Sequence, residues 1–389
     1  MDDMDNIERI LTTLEHQEPD RVPTHVIYLD ANNVDILLGP PPKSDFEMIR
    51  QLKRDFPDDW LDQLNTIVGD METDIFKRMV QATRKIGIDC TQVGFLTLKF
   101  INDHEMKDIF GRIYQALDNA GNIYPFYTIG TIDSKEKWNE TREKIIEKHT
   151  KKYSRFAKKF YKKINKNFKD ETVVFVTNDI QGIWESAWQG FGMTNFVKYL
   201  YEDKSLAQDV FDVITDYTIE CYNSYMDAGA KVFIESEDLA WKVGPMMSPK
   251  IFDDMLVPCY KRLTEAVHNR AGKIILHSDG YIMPLLDSVI EAGFDGIHSI
   301  EPTAGMDIGE IKKKYGDELV LLGNIDVGAV LTHGSRDDVC KAVKHVIKVA
   351  AKGGGFFLSA SNMINSVKIE NLEYMVEAAH KYGEYPINI

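Results

Sequence analysis

The chain has 389 residues, 44% of them hydrophobic, with 61 acidic against 46 basic side chains and a formal net charge of −15. That composition is ample for a packed core, and the negative balance argues against the broad electrostatic grip that nucleic-acid binders use. Length alone admits two or three domains, or one α/β barrel carrying insertions.

The start, MDDMDNIERILTTLEHQEPDRVP, has no basic segment leading into an apolar run, so neither a secretory signal nor a transit peptide is expected. No stretch approaches the roughly 18 apolar residues of a membrane span. Four cysteines, Cys90, Cys221, Cys259 and Cys340, lie far apart with no CxxC pair, a poor disulfide framework and a poor thiolate metal site. The expectation is a cytoplasmic protein without nucleic-acid or membrane partners; the oligomeric state stays open, with a homodimer among the expected forms.

In chain order, Ile7, Ile10, Leu11 and Leu14 have helical spacing, and this helix stops before the Glu18 to Pro23 segment. Residues 24–29 form an extended apolar run, and 45–85 is helical by period. From Gly87 onward, short β-branched or apolar runs alternate with long amphipathic stretches. The predicted strands are 90–93, 173–177, 231–234, 273–276, 296–299, 319–322 and 355–358, and helical patterns such as 283–292 and 335–352 follow the later ones. Repeated βα units imply parallel strands, and seven or eight of them imply a single α/β (β/α)8 TIM barrel. The expected division is 1–86 as an N-terminal helical cap with the first extended segment, and 87–389 as the barrel with an insertion at about 101–170. Within that insertion, 108–132 reads as a β-hairpin turning at Asn119, Ala120, Gly121 and Asn122. Residues 134–170 read as a helical excursion carrying Lys151, Lys152, Lys158, Lys159, Lys162, Lys163 and Lys166 on a solvated face or on a docking surface for an acidic partner.

In a barrel, working residues sit where strands end and βα loops begin. The strand ends supply Asn178, Asp179, Trp184 and Trp188; then Glu235, Glu237, Asp238 and Trp241; then His277, Asp279 and Tyr281; then Glu301; then Asn324 and Asp326; then Ser359, Ser361 and Asn362. Carboxylates gathered at one rim repel each other in a low-dielectric cleft unless some are protonated or a cation binds. His277 and Asp279, two apart, share a face, and Glu301 ends the adjacent strand. A His/Asp/Glu donor set with an open position suits catalytic Zn²⁺, with Fe²⁺ or Mn²⁺ also compatible. The plainer reading is that His277 only hydrogen-bonds a carboxylate and holds the loop. His298 reads as packing. The candidates for catalysis are Glu237, Asp279 and Asn324. Trp184, Trp188, Trp241, Tyr281 and Asn362 are candidates for binding substrate, the aromatics as an apolar wall for a flat ring; ordinary core is the other reading of Trp184 and Trp188.

Several segments together resemble the uroporphyrinogen decarboxylase superfamily, which includes corrinoid-dependent methyltransferases. They are the opening ERILTTLEHQEPDRVP, DIFGRIY, EDLAWKVGPMMSPKIFDDMLVPCYKRL, the HSDG motif, AGMDIGEIKKKYGDELVLLGNID, and the ending GGGFFLSASNMINSVKIENLEYMVEAAHKYGEYP. The resemblance implies the same barrel. The decarboxylases resemble a site with paired arginines after the first strand and a late histidine. Here residues 26–33 contain no arginine and 359–362 read Ser-Ala-Ser-Asn, which disfavours an octacarboxylate substrate on charge. The coenzyme M methyltransferases resemble a zinc site of His-x-Cys and a later Cys; His277 matches, Asp279 replaces the first thiolate, and Ser361 or Asn362 stands at the second.

HSDG with IEPTAGMD looks most like members that work with corrinoid proteins in demethylating methoxylated aromatics. The implied activity is transfer of a methyl group from a small donor to the Co(I) corrinoid carried by a partner protein. A metal on His277, Asp279 and Glu301 would polarise the ether oxygen, with Glu237 or Asp238 supplying a proton or a further ligand. The alternatives are a decarboxylase or lyase, which needs cationic side chains in the cleft, and a non-enzymatic tetrapyrrole-binding protein.

Overall fold

The computed structural model describes residues 4–94, 98–119, 121–168, 173–177, 181–364 and 367–389. Eight parallel strands close into one barrel in chain order: β1 Thr24–Val26, β2 Cys90–Val93, β3 Val173–Thr177, β4 Val232–Ser236, β5 Lys273–Ser278, β6 Gly296–Ser299, β7 Val320–Ile325 and β8 Phe356–Ala360. The chain is a (β/α)8 TIM barrel, as the alternation of β-branched runs and amphipathic stretches predicts. The first extended segment, expected to belong with the cap, instead supplies β1, whose His25 registers with Cys90 of β2 and Ser359 of β8. Its three residues are too few to show strand periodicity, and closure of the barrel depends on them.

Alternate residues fill the interior. Cys90, Phe175, Val232, Ile234, Ile275, Val320, Leu322 and Phe357 form one buried cluster. Helix α1, Asn6–Leu14, starts from an Asp5 cap and inserts Ile10 and Leu14 into that cluster, plugging the base of the barrel. The same base holds an ionic clamp. Arg21 grips both oxygens of Asp89 at 2.6 and 2.7 Å, Arg9 reaches it at 3.2 Å, and the backbone N–H and hydroxyl of Thr24 donate to it at 2.8 and 2.9 Å. Asp20 holds Arg9 from the other side at 2.6 and 2.7 Å. The opening motif therefore owes its charged residues to closure of the barrel base.

At the opposite end, α2 (Trp60–Ile86) and the insertion lie over the mouth. The insertion is a four-stranded antiparallel sheet of Lys99–Phe100, Glu105–Lys107, Arg112–Asn119 and Asn122–Gly130. Its last two strands form the expected hairpin, pairing Asn119 with Asn122; Ala120 of the expected turn lies outside the described residues. Leu64 and Met71 of α2 pack on Leu98, Phe100, Met106, Tyr114 and Ala116, giving this lid its own small core. The lysine-rich helix, Thr150–Phe168, buries Tyr153, Ala157, Phe160, Tyr161 and Ile164, and pairs Lys158 with Asp227 and Lys163 with Asp70. Among the described residues no helix is long and apolar enough to cross a membrane.

Candidate metal centre and cavity at the barrel mouth

Strand parity puts Ile275 and His277 of β5 inside the barrel, and Asp279 continues that row into the loop. The loop after β4 folds against it: the Glu237 N–H donates to the His277 carbonyl at 2.9 Å, and the Leu239 N–H donates to the Ser278 hydroxyl at 2.9 Å. The glycine of HSDG permits this approach. Gly280 has φ +81°, and a Cβ there would meet the Ala240 carbonyl oxygen at 2.4 Å. The two loops bring Asp238, His277 and Asp279 together, with one ligand atom from each lying within 4.8 Å of the others.

His277 is held from behind. Its Nδ1 lies 2.7 Å from Nδ1 of His298, its register partner on β6. On its other side, Nε2 of His298 lies 3.1 Å from the Ala360 carbonyl and 3.2 Å from the Ser359 hydroxyl, which also meets Nδ1 of His25 at 3.0 Å. Burial first, then the neighbouring imidazoles, hold His298 well below the usual histidine range, so it is neutral. A carbonyl only accepts, so Nε2 of His298 carries the proton and its Nδ1 keeps a lone pair. That lone pair accepts from Nδ1–H of His277, which leaves the Nε2 lone pair of His277 for a ligand. His298, expected to be packing, thus sets the tautomer of the adjoining donor.

Burial raises the carboxyls of the group. Asp279 is pushed up to about 6, with Glu301 adding to the rise and the Ser299 hydroxyl and Asn362 amide opposing it. Asp238 is raised by burial and by Asp279 and Glu301, against the pull of His277. Asp279 accepts from the Asn362 amide through Oδ2, but its buried Oδ1 has no hydrogen-bond partner among the described residues. An imidazole lone pair and two carboxyls, one of them with an unmatched buried oxygen, fit a divalent metal ion, with room for a further ligand.

Glu301 stands apart from this group. Its carboxylate accepts the Gly280 N–H at 3.0 Å and the Thr303 hydroxyl, and lies 3.8 Å from Lys242 Nζ. Asp238, named in the sequence only as a further ligand, takes the place expected of it. Asn324 donates to the carbonyls of Ile300 at 2.6 Å and Met306 at 3.4 Å, tying down the loop that carries Glu301.

Glu237 lines the cavity but also caps α3 (Ile183–Phe191), accepting the N–H groups of Trp184 and Glu185 at 3.0 Å each and the Tyr260 hydroxyl at 2.5 Å. A Cβ on Gly182 would fall 1.9 Å from its carboxyl carbon, so glycine makes room for it. Burial pushes Glu237 up to about 7, against the Tyr260 and backbone donors that stabilise its charge. Asn178 and Asp179 lie outside the described residues.

A cavity of about 390 Å³ opens from Asp238, His277, Asp279 and Asn362 toward the lid. The tryptophans do not line it. Trp184 is fully buried against Phe196, Trp188 packs edge-on to Tyr127, and Trp241 is 59% exposed. Tyr281 packs on the core outside the cavity. The aromatic wall is instead Tyr28, Phe76, Phe100, Tyr114 and Tyr124. Four of these come from α2 and the insertion, which no local spacing links to the barrel rim.

A barrel with polar and carboxyl groups at the carboxyl ends of its strands is an enzyme-type scaffold. Comparison with known proteins makes this specific. The sequence profile described as Uroporphyrinogen decarboxylase (URO-D) matches residues 186–382, and the chain belongs to this family. A methylcobamide:CoM methyltransferase of Methanosarcina barkeri is 28% identical over 189 residues, covering 48% of this chain and 52% of that protein. A uroporphyrinogen decarboxylase of Coxiella burnetii is 24% identical over 203 residues, covering 49% of this chain and 52% of that protein. The matches thus span about half the length of these curated relatives. The solved structure of a methyltransferase from Methanosarcina mazei shares the fold, with a TM-score of 0.70 at 16% identity over 98% of this chain and 99% of that one.

Proposed function

We propose that this chain transfers a methyl group from a small donor, a methoxylated aromatic, to the Co(I) corrinoid of a partner protein, in the cytoplasm. The observation that carries the reading is the Asp238, His277, Asp279 group at the inner end of a largely apolar cavity with no lysine or arginine among its described lining residues. The methyltransferase relatives support it, and the lack of lysine or arginine among the described lining residues counts against a polycarboxylate tetrapyrrole.

Asp238, His277 and Asp279 would hold Zn²⁺ or another divalent ion, which when bound supplies Lewis acidity to an ether oxygen. The chain's own residues do the rest. His298 fixes the ring that presents Nε2, and Asn362 orients the Asp279 carboxyl. The apolar walls keep water from the donor. An ether oxygen that gives up its methyl group keeps the bonding electron pair, and Glu237 would hold a proton at its carboxyl to give it.

Because Glu237 is raised to about 7, its acid form is present at neutral pH and lost above it. The transfer rate is therefore expected to fall as pH rises through about 7. Glu237→Gln is expected to lower the rate by about 10²-fold or more and to flatten this limb, as read from initial rates across pH. A rate that climbs through the same range would remove Glu237 from the proton-donating role.

The function itself is tested by incubating the chain with a reduced corrinoid protein and a panel of methoxyaromatics while recording the corrinoid spectrum. Appearance of the methylated corrinoid with at least one ether is expected. Absence with every ether and amine tried, together with carbon dioxide release from a carboxylated substrate, would establish the lyase reading instead.

A further inference from the structure

The cavity's outer wall comes from residues before 186, ahead of the segment that the family profile matches. Tyr28 and Phe76 meet edge to face at 6.3 Å, and Phe100, Tyr114 and Tyr124 extend the aromatic surface. Among the described residues, Asp45, Glu72, Glu185, Glu237, Asp238 and Asp279 are the acidic groups of the lining, and no lysine or arginine lines the space. The nearby Arg112 guanidinium is taken up by Asp108 at 2.5 Å and by Gln181 and Gln189 at 3.1 Å each, outside the lining. Burial raises even the chain's own carboxyls Asp45 and Glu185, so the surroundings disfavour negative charge. An incoming carboxylate would lose its hydration and meet no lysine or arginine among the described lining residues, while a divalent ion on His277 would already have its charge matched by Asp238 and Asp279.

One lining group asks for a ligand. Gln92 of β2 is 4% exposed, and its side-chain carbonyl oxygen is buried with no hydrogen-bond partner among the described residues. Buried polar groups are rarely left so, and a hydroxyl satisfies a carboxamide. At about 390 Å³ the space is near the lower end of ligand pockets, roughly 300–1,000 Å³, and suits a single substituted ring.

Building on the methyl-transfer reading, we infer that the aromatic ligand of this cavity is an uncharged methoxyphenol whose hydroxyl bonds Gln92, and that carboxylated methoxyaromatics are excluded. The test is calorimetric binding to the full chain at neutral pH without any corrinoid, using ortho-methoxyphenol, methoxybenzene and meta-methoxybenzoate.

Ortho-methoxyphenol is expected to bind at least about tenfold more tightly than meta-methoxybenzoate. Gln92→Leu is expected to erase an advantage of roughly fivefold or more that the phenol holds over methoxybenzene. Unchanged methoxybenzene binding shows that this variant is folded. Met79→Lys, which places an ammonium in the lining, is expected to raise benzoate affinity. Benzoate binding as tightly as the phenol, no binding of the phenol, or an equal loss of both neutral ethers in Gln92→Leu would each overturn the inference. Selective binding of the phenol supports it even if the corrinoid assay shows no transfer, a result that would sink the methyl-transfer reading alone.

Discussion

His298→Leu is expected to weaken divalent-metal binding at the mouth roughly 10–100-fold, the usual cost of removing the group that orients a ligating histidine. The leucine cannot accept from Nδ1–H of His277, so the imidazole loses both its preferred tautomer and its rotational stop. The effect should appear in chelator competition on the purified chain, independently of any turnover. Nitrogen-detected NMR of the metal-free chain gives a second readout: the parent should hold His277 as the Nδ1–H tautomer, and the variant should show a mixture. An affinity within twofold of the parent would mean that the 2.7 Å contact between the rings only packs the barrel.

Asp89→Ala is expected to cost about 3–5 kcal/mol of folding stability, because it strands two guanidinium groups at the barrel base. Asp89 is 1% exposed and Arg9 4%, and Arg21 would lose the partner that holds both of its terminal nitrogens. Burial pushes the Asp89 carboxyl up, but Arg21, Thr24 and Arg9 together hold it below the ordinary carboxylate value. Its contribution is therefore present above the unfolded pKa, about 3.9, and is lost as pH falls through the folded value. Urea unfolding of parent and variant at neutral pH measures the loss directly. A difference below about 1 kcal/mol would show that Arg9 is satisfied by Asp20 alone and that the clamp adds little.

Much of the barrel is legible in the sequence because each later strand is a short apolar run followed by a long amphipathic one, and that rhythm has few other solutions. β1 escapes it, being only three residues long between Pro23 and the cap. At the site, His277 and Asp279 can be found from their spacing at a strand end. Asp238 and Glu301 cannot be ranked that way, since both follow strands and the choice depends on how Gly280 lets two loops touch. The role of His298 rests on the register of β5 against β6, which one sequence does not reveal. Trp184 and Trp188 mislead for a plain reason: a large aromatic ring is equally at home in a core or a pocket. The rings that do face the cavity reach it from α2 and the insertion, through contacts far apart in the chain.

Metal content of the purified chain, measured by equilibrium dialysis and elemental analysis beside His277→Ala, bears most directly on the whole account. The parent chain is expected to hold close to one divalent ion tightly, and the variant to lose affinity by more than about 100-fold, beyond the effect of an orienting residue. A parent that binds no ion above background, or a variant that holds it as firmly, would contradict it.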